Sequence, residues 1–236
     1  MKEGGKMLSD IRNQLADAVK PGVTPVEIEN LANTLIKKTG GQASFKTVPG
    51  YHHATCINVN DSLVHGIPSQ IPFKDSDLVS IDLGLLYKNY HTDTSTTVVV
   101  GKPNKDLQSF IDTGWQALSL GIKKAQVGNK VSDISKAIEK VIVSSGYTPV
   151  KDLTGHGIGK KLHQDPYIPN YYDPQNTDFE LKVGQAMAIE PMYTKGSEQI
   201  KLLDDNWTIT TKDGSLSALV EHTIFINQDG PIILTE

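Results

Sequence analysis

The sequence holds a single cysteine, Cys56, which excludes a disulfide framework within the chain and fits a reducing compartment. It lacks a surplus of basic residues: the formal net charge is -4 and the isoelectric point about 6.0, so no basic face addresses nucleic acid or anionic membrane. No run reaches the roughly 18 apolar residues of a membrane span. The opening MKEGGKMLSD has no apolar stretch of the signal-peptide kind. What is present is ordinary for a globular chain: 236 residues, 38% hydrophobic and 21% charged, room for one large domain or two fused halves. The expectation is a cytoplasmic protein with a true core.

Self-similarity organises the rest. VKPGVTPVEIENLANTLIKKTG (19–40) and AQVGNKVSDISKAIEKVIVSSG (125–146) align without gaps at an offset of 106, matching Gly22 with Gly128, Ile28 with Ile134, Ile36 with Ile142 and Gly40 with Gly146. In the first copy Thr24, Pro25 and Glu27 read as N-cap, first-turn proline and capping-box acid. Ile28, Leu31, Ala32, Leu35 and Ile36 follow at helical spacing. In the second copy Ser132 reads as the cap before Ile134, Ile138, Val141 and Ile142. Each copy is preceded by another helical stretch and followed by β-branched, apolar segments: SDLVSIDLGLLY and STTVVVG, then QAMAIEPM and SALVEHTIFIN. No helix fits between most of these strands, so the sheet is expected to be antiparallel or mixed. The predicted architecture is an α/β (α+β) domain over 1–236, with pseudo-repeat halves of roughly 1–104 and 105–236 and a site in the cleft between them.

Polar residues inside apolar strands need partners, because an unpaired buried charge costs several kcal/mol or shifts its pKa. Asp82 alternates with Val79, Ile81 and Leu83; Asp93 precedes a β-forming run; Glu190 follows Met187 and Ile189; Glu221 sits among Val220, Thr223 and Ile224. Any one alone reads as a strand-end or salt-bridged acid. Together with glycine-flanked His156 they call for positive charge, and the basic candidates Lys88, Lys151 and Lys160 lie in apparent loops. Divalent ions are the economical answer. Carboxylates plus one imidazole and no thiolate suit Mn, Fe, Co or Zn, and four carboxylates suit two ions sharing ligands. His163 would then be free to polarise a carbonyl or move a proton, and LVHGIP offers a third imidazole, His65.

The ordered set LVHGIP, VSIDLG, HTDTS, LTGHGIGKKLH, AIEPM and SALVEHTI resembles methionine aminopeptidase, the bacterial type I form of the pita-bread fold, over nearly the whole chain. That resemblance implies an internally duplicated domain whose curved sheet carries helices on its outer face and a dinuclear metal site between the halves. It implies removal of N-terminal methionine ahead of a small second residue, by hydroxide held between two divalent ions (Co, Mn, Fe or Zn). By position, Asp82 would chelate one ion, Asp93 and Glu221 would bridge, and His156 and Glu190 would complete the second. Glu190 would also carry the proton, with His65 and His163 at the scissile nitrogen and carbonyl. Phe45, Tyr51, Cys56, Leu162 and Trp207 would line the methionine pocket, and Asn60, Ser62 and Ser217 would hold a monovalent cation. Implied partners are the N-terminal methionine of nascent polypeptides and, transiently, the ribosome; a monomer without nucleic-acid or membrane specificity is expected. Only 27 positions separate His163 from Glu190, too few for the helical insertion of type II enzymes. The alternatives are a proline-directed aminopeptidase of the same fold, which would carry a large extra N-terminal domain, and an inactive pita-bread binding module.

Overall fold

Apolar residues at three- and four-residue spacing wind into α1 (Lys2–Ala18), α2 (Pro25–Thr39), α3 (Lys105–Lys124) and α4 (Val131–Ser144) in a computed structural model that describes residues 1–175 and 178–236. None of these helices is long and apolar enough to cross a membrane. At the start of α2 the Glu27 amide donates to the Thr24 hydroxyl at 3.3 Å, and the Thr24 amide donates to the Glu27 carboxylate at 2.8 Å. This reciprocal box satisfies two amides that the helix itself cannot. The helix stops at Gly40, whose φ of 75° suits glycine, and Gly146 after α4 has φ of 82°. Thr24→Ala is expected to cost about 1 kcal/mol. A melting curve superimposable on the parent's would show that the cap holds nothing.

Helix α4 is capped two residues earlier than expected. Extended backbone, which a cap requires, falls at Lys130 (φ -116°, ψ 161°), and the Lys130 amide donates to Asp133 at 2.9 Å. Ser132 therefore lies inside the first turn, and its amide and hydroxyl both reach Asp178, at 3.0 and 2.8 Å.

The main sheet is built, in chain order, from β1 (Gln42–Ala43), β2 (Thr55–Val59), β3 (Leu78–Tyr87), β4 (Tyr90–Val99), β5 (Thr154–Gly157), β6 (Gln164–Pro169), β7 (Ala186–Ile189), β8 (Glu221–Asn227) and β9 (Gly230–Ile233). Its spatial order is β1-β3-β4-β8-β7-β5-β6, with β2 also on β3 and β9 also on β8, and every pairing is antiparallel. SALVEHTIFIN, expected as one strand, divides: Ser217–Leu219 pairs with Met192–Thr194, and β8 begins afresh at Glu221. Asp93, expected ahead of its strand, lies within β4.

Alternation decides which face meets the helices. Val79, Ile81, Leu83 and Leu85 of β3 pack with Leu8, Ile11, Leu15 and Ile28 of the first helix pair. Met187, Ile189, Ile224 and Ile226 pack with Phe110, Leu118, Ile134 and Ile138 of the second. The other face of the same strands is left for polar residues.

Candidate metal centre

Register alone gathers the acids. Asp82 pairs with Ser95 and Gly84 with Asp93 across β3 and β4, while Ser95 also pairs with Glu221 across β4 and β8. Cross-strand partners share a face, so Asp82, Asp93 and Glu221 stand on one side, away from the helices. Thr223 pairs with Ala188 and Ala188 with His156, which adds His156 to that side. Glu190, two residues beyond Ala188, has an oxygen 3.6 Å from His156 Nε2. Asp93, His156 and Glu221 each offer a ligand atom within 4.8 Å of the others.

The glycine after His156 has a packing reason. A Cβ on Gly157 would lie 2.2 Å from the Asp165 carbonyl oxygen, so only glycine lets β5 and β6 close over the site. The same residue orients the imidazole: His156 Nδ1 lies 3.0 Å from the Gly157 carbonyl, which can only accept. Nδ1 therefore carries the proton, and Nε2 presents its lone pair to the acids. The His163 ring stands edge-on to His156, with centroids 4.4 Å apart.

Electrostatically this cluster is under-compensated. Burial raises Asp82 to about 7, and burial followed by Asp82 and Glu190 pushes Asp93 well above the usual range. Glu190 is raised by burial and by Asp82. Glu221 is raised by burial and then by Asp93, Glu190 and Asp82, with Arg12 alone pulling it down. His156 falls to about 4 through burial and the neighbouring His163. Among the described residues, the carboxylate oxygens Asp82 Oδ1 and Glu221 Oε1 are buried with no hydrogen-bond partner. Orphaned anionic oxygens beside an imidazole lone pair are the donor set of a divalent-cation site, and the residues fit one.

His65 and His163 stand at the mouth, open to solvent yet crowded enough by protein that burial lowers both. His65 takes φ of 58°, a left-handed conformation that aims its ring from the end of Ser62–Val64. The adjoining cavity of about 300 Å³ is lined by Phe45, Tyr51, Cys56, Leu162 and Trp207 together with the acids and histidines named above. Tyr51 and Trp207 meet edge to face at 5.0 Å.

Sequence reasoning missed the supporting layer. Glu29 of α2 accepts from the amides of Ala54 and Thr55 at 2.8 and 3.0 Å and from the Thr55 hydroxyl at 2.7 Å, clamping the strand that bears Cys56. The His91 amide donates to Gly159 O at 2.7 Å and ties down the loop that ends in His163. The positive charge behind the acids is Arg12, not a lysine: Lys88 pairs with Glu3 and Lys151 with Glu198 at the surface. Its only sequence signal was a charged residue on the apolar stripe of α1, between Ile11 and Leu15.

A shared-face cluster of carboxylates and histidine on an antiparallel sheet, beside an apolar pocket, is the apparatus of a metal-dependent hydrolase. The model of metallopeptidase family M24 matches residues 1–228, and the chain belongs to that family. Methionine aminopeptidases of several bacteria are among its similar relatives. That of Clostridium perfringens is 40% identical over 235 residues, spanning 100% of this chain and 94% of the relative. Methionine aminopeptidase 1 of Bacillus subtilis is 39% identical with the same coverage. The crystal structure of the Thermotoga maritima methionine aminopeptidase superposes with a TM-score of 0.96 at 35% identity, covering 100% of this chain and 95% of that one.

Proposed function

We propose that this chain removes the N-terminal methionine from nascent polypeptides in the cytoplasm, preferring a small second residue. The observation that carries the reading is the convergence of Asp82, Asp93, His156, Glu190 and Glu221 beside a cavity of about 300 Å³ with an apolar wall. These five would hold two divalent ions, which when bound supply Lewis-acid polarisation of the carbonyl and a water of lowered pKa. Glu190 takes up a proton on its carboxylate and delivers it to the leaving nitrogen. His163, neutral because its pKa is lowered by burial, donates a ring N–H to the carbonyl oxygen as negative charge builds there. His65, which lines the same cavity, contacts the scissile nitrogen. Phe45, Tyr51, Cys56, Leu162 and Trp207 exclude water from the methionine side chain. Elsewhere, the Ser217 hydroxyl lies 3.2 and 3.0 Å from the carbonyl oxygens of Asn60 and Ser62, an oxygen cluster suited to a monovalent cation.

Metal-stripped protein re-supplied with Mn, Fe or Co is expected to release free methionine from Met-Ala-Ser and far less from Met-Lys-Ser. Failure with every metal, while the metals still bind, would sink the reading. Pocket identity has its own test. Cys56→Leu adds bulk to the pocket wall and is expected to lower kcat/KM on Met-Ala-Ser by about 10–200-fold, the worth of a methylene or two in a fitted site. An unchanged kcat/KM would place the methionine elsewhere.

A further inference from the structure

The sequence has one arginine, Arg12, and that arginine is buried to 7% exposure. A buried guanidinium carries a desolvation penalty of several kcal/mol and persists where its donors are satisfied. Nη1 donates to the Thr94 hydroxyl at 2.9 Å and to the Thr235 carbonyl at 3.0 Å, and lies 3.5 Å from His222 Nδ1. Nη2 donates to Ser9 Oγ at 3.3 Å and to Asn13 Oδ1 at 3.1 Å. Leu8, Ile11 and Leu15 already bury the apolar face of α1, so docking the helix does not call for a charge at this position.

Thr94 is the contact that matters. Its amide donates to Asp93 Oδ1 at 3.1 Å, and its hydroxyl, accepting from Arg12, donates to the Glu221 carbonyl at 3.0 Å. The ring of bonds closes on the far side. The Thr223 hydroxyl donates to the Asp93 carbonyl at 2.7 Å, and the Thr223 amide donates to the Thr235 hydroxyl at 3.1 Å. Thr235 returns to Arg12 through its carbonyl. We propose that Arg12 is a positioning residue for the metal centre: through Thr94 and Thr235 it holds Asp93 and Glu221 in ligand geometry before any ion binds. The inference rests on the reading of Asp93 and Glu221 as ligands. A planar fork with several donors is required, which lysine, a point charge, reproduces only in part.

The test titrates Co²⁺ into metal-free protein, following binding by calorimetry and the visible absorption of the bound ion at saturation. Arg12→Met and Thr94→Val are expected to weaken Co²⁺ binding by about 10–100-fold, as loss of outer-layer partners does elsewhere, and to change the absorption bands. Arg12→Lys is expected to recover part of both. A helix staple alone would lower the melting temperature and leave Co²⁺ affinity and spectrum untouched, and that result overturns the proposal. If Arg12→Met does not fold, Thr94→Val, which cuts the same relay, decides. Asp93→Asn is the control. Unchanged Co²⁺ affinity in that variant would show that the ligand reading had failed, and the proposal with it.

Discussion

Glu190→Gln is expected to cut methionine release from Met-Ala-Ser by about 10²–10⁴-fold, the usual worth of a positioned proton carrier. Glutamine keeps the volume and one carbonyl oxygen but cannot take up and hand on a proton. The same substitution removes one negative charge from a cluster in which Glu190 raises both Asp93 and Glu221. The metal-stripped variant is therefore expected to melt higher than the stripped parent while remaining nearly inactive when re-supplied with metal. That opposition separates a catalytic loss from a folding loss. Turnover within tenfold of the parent at saturating metal would remove Glu190 from the mechanism.

Removing the metal is expected to destabilise the protein, and by more at high pH than at low. Asp82, Asp93, Glu190 and Glu221 have folded pKa values raised above their unfolded ones, chiefly by burial. Between the two values the folded chain binds more protons than the unfolded chain, so stability falls as pH rises. The loss begins near pH 4, where the unfolded carboxylates ionise, and for Asp82 continues to about 7. Loaded protein behaves oppositely, because ligands must be deprotonated and metal affinity rises with pH. A free-metal concentration of about 1,000 Kd adds about 4 kcal/mol, worth roughly 10 °C in a chain of this size. Melting temperatures of stripped and Mn-loaded protein should thus diverge from pH 5 to pH 8. A gap that narrows over that range would mean that the buried acids do not bind the ion.

The supporting interactions differ in how far they could be read in advance. Local signals were legible: Thr24, Pro25 and Glu27 specify the start of α2 by contacts within four residues, and Gly40 its end. Ser132 misled for the complementary reason. Its apparent cap pattern was overridden by Asp178, a partner 46 positions away. The break at Val220 was likewise invisible, since SALVEHTIFIN has no Gly or Pro to mark a turn and the pairing of Ser217–Leu219 with Met192–Thr194 divides it.

For the site, acidic residues within or beside apolar strands marked Asp82, Asp93, Glu190 and Glu221 as candidates, and for Asp82 alternation with Val79, Ile81 and Leu83 also set it on the face away from the core. The sequence by itself therefore determined the helices, the apolar strand segments and the acidic and imidazole character of the candidate site. Tertiary structure decided the geometry. Register across β3, β4, β8, β7 and β5 brings the acids and His156 onto one face, and no single segment encodes it. It also decided which cation lies behind them. Arg12 comes beside Thr94 across 82 positions of chain and beside Thr235 across 223, contacts made by helix packing against the sheet rather than by any local pattern.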